Sequence, residues 1–165
     1  MQLFCNVITA FSTVEKINFT ECIKMSIPSE KRAGVAEILT YIPFFEEIEE
    51  DQISRVVTEE LAEDGTMPVE TLMYRSPLLG FIEDAYVANI LEPKYLDIIN
   101  DQAMGEIELE VLVYGIEQAD YMLTMAVLTC IIVQEKVAQG IWGMATKEGW
   151  FLKILNHLQD LYDEE

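Results

Sequence analysis

The chain has 165 residues, a length suited to one domain, and 51% of them are hydrophobic, which excludes a disordered acidic tail. With 30 acids against 10 bases the net charge is −20 and the isoelectric point lies near 4.1. That balance disfavours nucleic acid and anionic membrane as direct ligands and favours a basic partner, a bound cation or plain solubility.

The N-terminus "MQLFCNVITAFS" is apolar with no Lys or Arg ahead of the run, unlike a cleaved signal peptide, which starts basic. Leu3, Phe4, Val7, Ile8, Phe11 and Val14 recur at helical spacing. Residues 17–27 then alternate, with Ile17, Phe19, Ile23, Met25 and Ile27 apolar; this reads as a strand that Glu21 interrupts, in competition with a short helix capped by Thr20. Ser29 is placed to cap a helix carrying Val35, Ile38, Leu39 and Ile42, which Pro43 stops.

In "FFEEIEEDQ", residues 44–52, only Ile48 interrupts the acids from Glu46 to Asp51. Asp51 is a suitable N-cap for a helix over 52–64 with the stripe Ile53, Val56, Val57 and Leu61, closed by Gly65. Ser76 and Pro77 open a helix to about Leu91, and Pro93 begins a short one through Ile99. Residues 105–115, "GEIELEVLVYG", alternate like a strand able to pair with 17–27; the same segment also suits the first turns of a helix, the preferred reading. Residues 121–133 are apolar all round, as in a helix enclosed by others. They are too few for the roughly 17 needed to span a bilayer. Thr146 is placed to cap a last helix that turns Trp150, Phe151, Ile154, Leu155, Leu158 and Leu161 inward.

With no linker, repeat or low-complexity tract, the pattern predicts a mainly α chain. It forms one helical domain over 1–165, a bundle around a buried central helix at about 116–139. A small two-stranded β element, 17–27 with 105–115, is the alternative at those segments. Cys5, Cys22 and Cys130 are odd in number, lack CxxC spacing and have apolar neighbours, which suggests buried, reduced thiols in a cytoplasmic protein.

Catalytic motifs are missing. Neither GxGxxG nor GxxxxGK[ST] occurs. The single histidine, His157, sits beside an apolar helix stripe and reads as a residue that packs or hydrogen-bonds. Glu117 and Asp120 have no histidine to complete a bundle metal site. An EF-hand loop with Gly65 at position six would put Ala62 and Thr71 where carboxylates belong. No enzyme, metal or cofactor is expected.

The acidic surface remains. Residues 46–110 hold 18 acids and only Arg55, Arg75 and Lys94 as bases, a net charge of −15 out of −20. The candidate partner-binding residues are Glu46, Glu47, Glu49, Glu50, Asp51, Glu59, Glu60, Glu63 and Asp64, with Glu106, Glu108 and Glu110 as a further row. On a strand those last three would stand about 6.6 Å apart on one face. Acids at the end of a 52–64 helix oppose its dipole, so they call for a reason outside the fold. Phe44, Phe45, Tyr74, Tyr86 and Tyr95 lie in or beside the segment as anchors, with Phe44 and Phe45 better suited to the core.

The functional expectation is a small acidic inhibitor or immunity-type protein that neutralises a basic partner, such as a nuclease toxin or another nucleic-acid-processing enzyme. It would touch no nucleic acid or membrane directly. The alternatives are an adaptor subunit that forms a homodimer, and a bundle that binds an apolar ligand beside Met122, Thr124, Met125, Thr129 and Cys130.

Overall fold

The computed structural model describes residues 26–49, 52–58, 70–103 and 108–164. The predicted helix at 3–14, the alternating run up to residue 25, Cys5 and Cys22 lie outside them. In chain order the elements are α1 Arg32–Leu39, α2 Ile42–Glu47, β1 Ser54–Thr58, β2 Glu70–Tyr74, α3 Ser76–Val87, α4 Tyr95–Ala103, α5 Leu109–Tyr114, a 3₁₀ turn Ile116–Gln118, α6 Tyr121–Gln134, α7 Ile141–Lys147 and α8 Trp150–Asp163. The chain is mainly helical with one small two-stranded sheet, as the sequence predicts.

α6 is the centre. Tyr121 and every residue from Leu123 to Ile132 are buried, so the helix has no solvent face and must be wrapped. α4, α5, α7 and α8 pack around it. It is shorter than the predicted 116–139 because local chemistry ends it on both sides. Asp120, in extended geometry, accepts a hydrogen bond from the Leu123 amide at 2.8 Å and so caps the helix one turn after the 3₁₀ segment. Beyond Gln134 the chain turns, and Gly140 takes φ 104°, a left-handed conformation that suits glycine.

α8 carries the inward stripe that the sequence specified: Trp150, Phe151, Ile154, Leu155, Leu158 and Leu161 are all buried. Its start differs. Gly149, at φ 70°, precedes α8, and Thr146 lies inside α7, where its hydroxyl donates to the Trp142 carbonyl at 2.8 Å. A threonine within a helix can satisfy its hydroxyl on the preceding turn, so it need not mark a start. Likewise Ser29 does not cap α1, which begins at Arg32, and Pro43 does not merely stop α1 but occupies the first turn of α2, where its missing N–H costs nothing.

One assignment changes, and one alternative is decided. The predicted helix over 52–64 is a strand at Ser54–Thr58, paired antiparallel with Glu70–Tyr74 in the register Ser54↔Tyr74, Val56↔Leu72, Thr58↔Glu70. Val56, Val57 and Thr58 are β-branched, stiff about χ1 and suited to a pleated ladder once a partner strand is present. At 105–115 the preferred helical reading holds in the described part: α5 is helical from Leu109, and Gly115 closes it with its amide on the Val111 carbonyl at 3.1 Å. The two-stranded sheet therefore exists, at a different place.

α3 opens at Ser76–Pro77 as expected but stops at Val87, short of Leu91, because Asn89 turns left-handed at φ 51°. α4 begins at Tyr95 and runs past the predicted Ile99 to Ala103. One apolar cluster extends from Ile27 to Leu161. Within it Phe45, Phe81 and Phe151 meet with ring centroids 5.0–5.5 Å apart, tying α2, α3 and α8 together. α1 crosses the end of α3 closely: a methyl group on Gly34 would lie 2.7 Å from Ile90 Cγ2 and 2.8 Å from Ala88 Cβ, so only glycine allows this approach.

Candidate functional site

The acids that the structure gathers are centred on Tyr41, between α1 and α2. Its ring packs edge-on against Phe81 at 5.5 Å, which directs the hydroxyl along α3, where it donates to Asp84 Oδ2 at 2.5 Å. Gly80, one turn earlier, makes room; a methyl group there would stand 3.0 Å from the hydroxyl oxygen. Burial first, then the bond to Asp84 and the negative charge of Asp84, Glu37 and Glu83, push the phenol up to about 12. The carboxylates that act on this hydroxyl, Glu37, Glu83 and Asp84, come from both α1 and α3.

Glu46 and Glu47 end α2 exposed, and Glu49 follows them exposed. α2 is held by Phe45, which is 7% exposed and in the core, with Phe44 half-buried against it, as expected of that pair. Glu50, Asp51, Glu59, Glu60, Glu63, Asp64 and Glu106 lie outside the described residues. With 54–58 a strand, the argument that acids at 59–64 strain a helix end no longer applies.

Glu108 and Glu110 are exposed, but on α5, which packs on α6, α8 and the 3₁₀ turn. They sit at the N-cap and in the first turn of a helix, where the dipole favours negative charge; the evenly spaced anionic ladder expected of a strand is not formed. The structure thus places them on a different element from Glu46, Glu47 and Glu49, while Glu37, Glu83 and Asp84, absent from the expected set, act on Tyr41.

Of the five aromatic candidates, Tyr86 is well exposed at 45%. Tyr95 is half-buried. Tyr74 is engaged internally: its hydroxyl donates to Glu135 Oε1 at 2.7 Å, and its ring lies 5.3 Å from Trp142. Glu135 also accepts the amides of Gly140 at 2.8 Å and Trp142 at 2.9 Å. One half-buried carboxylate therefore caps α7 from a distance and fastens β2 to it. This residue was not singled out from sequence, where nothing local distinguishes it from the other glutamates.

The remaining candidates are structural. His157 is buried, and its Nε2 meets the Ala119 carbonyl at 3.0 Å, a residue that packs and hydrogen-bonds as expected. Cys130 is a free, buried thiol that burial pushes up, away from the reactive thiolate. Thr124 and Thr129 donate to the carbonyls of Asp120 and Met125 at 2.7 Å, and Met125 is buried. His157 also lines a groove of about 300 Å³ beside α8 with Glu117, Lys153 and Asp160, whereas the groove of about 410 Å³ beside α7 is lined by none of these candidates. Among the described residues no three His, Cys, Asp or Glu side chains are grouped to hold a metal, and no helix is long and apolar enough to cross a membrane.

Residues 30–164 match the model of a family of unknown function, DUF6508. The chain belongs to that family. The matched span takes in every described element from α1 to α8. No curated protein and no solved structure matches the chain.

Proposed function

We propose that this protein is a cytoplasmic, non-catalytic inhibitor of the immunity type, which binds a basic protein and covers the surface that protein uses for phosphate. A nuclease toxin or other nucleic-acid-processing enzyme is the kind of partner meant. The observation that carries the reading is the set of exposed carboxylates Glu37, Glu46, Glu47, Glu49 and Glu83 on and beside α1, α2 and α3, with Asp84 held by the Tyr41 hydroxyl at 2.5 Å. Glu46, Glu47 and Glu49 are exposed on the neighbouring α2. Such a surface attracts a cationic partner over a Debye length and discriminates against anionic ones.

Three of the bases support the reading by where they are spent. Lys31 bonds the Asn89 carbonyl, Arg32 bonds the Tyr162 carbonyl at 3.1 Å and stacks on that ring, and Lys153 pairs with Glu117 at 3.2 Å. They hold elements together, while Glu37, Glu46, Glu47 and Glu83 stand exposed on α1, α2 and α3.

The test is capture from the native cell with the wild-type chain and with a variant carrying Gln at Glu37, Glu46, Glu47, Glu49 and Glu83. A basic protein should be retained by the first, released by about 0.5 M salt as screening sets in, and lost from the second. Equal retention by both, or a partner that is itself acidic, would defeat the proposal.

A further inference from the structure

α3 turns Leu78, Phe81, Ile82 and Ala85 into the core. Its outward row is Leu79, Glu83, Tyr86 and Val87, at spacings of four, three and one, so that they share a face of the helix. That row is not the usual charged exterior. Leu79 is 44% exposed, Tyr86 45% and Val87 76%, and Glu83 lies among them. Asp84 and Glu37 stand on the side where Tyr41 packs. An apolar centre with an anionic middle and rim is the arrangement of an interface.

We propose that the outer face of α3 is the docking site for a basic amphipathic helix of the partner protein. This rests on the acidic-face reading above and narrows it to one element and one kind of ligand. The helical spacing selects a helix: a row from Leu79 to Val87 spans about 12 Å, two turns, and accepts an apolar ridge laid along it. Charge selects basic residues. An apolar ligand would bury Glu83 unpaired, which is costly, whereas a Lys or Arg beside the ridge pairs with it and with Asp84 and Glu37. A second copy of this chain would bring Glu83 towards its own counterpart, and an anionic membrane would meet the same carboxylates. Among the described residues, Arg75 precedes α3 and Lys31 is bonded to Asn89 just after it. They confine a cationic helix to the turns between.

The probe is a labelled synthetic peptide of about 16 residues, long enough for helix, with Leu along one face and Lys on its flanks, followed by fluorescence anisotropy at low and moderate salt. The double variant Leu79→Ser with Val87→Ser should weaken binding at least about tenfold while leaving the salt dependence unchanged. Glu83→Gln should weaken it and flatten the salt dependence. A peptide with the same Lys content and Ser for Leu should bind the wild type and the double variant alike. All three substituted sites are exposed, and circular dichroism with thermal unfolding verifies that each variant is folded. Undiminished binding by the double variant overturns the placement on α3. If the Gln variant at Glu37, Glu46, Glu47, Glu49 and Glu83 then loses the peptide, the acidic-face reading survives without it; if that variant also binds as before, both fall. A wild-type dimer in sedimentation velocity that the double variant abolishes would make a second copy the occupant and likewise overturn the proposal.

Discussion

Two tyrosine hydroxyls fasten segments far apart in the chain: Tyr41 to Asp84, 43 residues on, and Tyr74 to Glu135, 61 residues on. Both phenols hold their proton more tightly in the folded chain than in the unfolded one, burial being the leading cause. The sign follows. For Tyr41 the contribution to stability is complete below its ordinary value of 10.0 and is lost as pH rises towards about 12. Urea midpoints should therefore fall between pH 10 and about 12, and Tyr41→Phe should make that fall shallower. At neutral pH the same substitution removes one charge-assisted hydrogen bond, an expected loss of about 1–2 kcal/mol in urea unfolding. Glu135→Ala leaves the Tyr74 hydroxyl and the Gly140 and Trp142 amides without their acceptor, with an expected cost of about 2–3 kcal/mol by the same measurement. Neither carboxylate stands out in the sequence, because what distinguishes them is a donor supplied by a distant element.

Among elements, what could be read depended on where the decisive contacts lay. α8 follows from its own periodicity, and its six inward residues were all identified; α6 follows from being apolar on every side. Residues 54–58 went the other way. Ile53, Val56 and Val57 suit a helix stripe, and only the presence of Glu70–Tyr74 alongside makes the extended form better. At 105–115 the alternation of Glu with Leu and Val left a strand open, and the preferred helical reading, from the helix propensity of Glu and Leu, holds from Leu109. Packing of elements yields two further expectations. Gly34→Ala should destabilise by about 1–3 kcal/mol, since neither the Ala88 methyl nor the Ile90 branch can retreat without moving α3 from α1. In hydrogen exchange the amides of α6 should open last, because its helix is enclosed by α4, α5, α7 and α8 and exchanges only when they separate.

For the whole molecule the governing quantity is the net charge of −20, which repels itself in the compact state. Melting temperature should rise between low salt and about 0.5 M salt as screening relieves that repulsion. The variant with Gln at Glu37, Glu46, Glu47, Glu49 and Glu83 should melt no lower than the wild type while losing its basic partner, a separation of binding from stability that a purely solubilising surface would not give. The sequence alone determined the helical class, the buried central segment, the inward stripe of the last helix and the excess of acid, because each depends on composition or on spacing within one element. Tertiary structure decided where the two strands pair and which carboxylates share a surface. Glu83 and Asp84 act with Glu37 on Tyr41 because Tyr41 packs on Phe81 beside α3, and contacts between residues so distant in the chain leave no periodic trace in it.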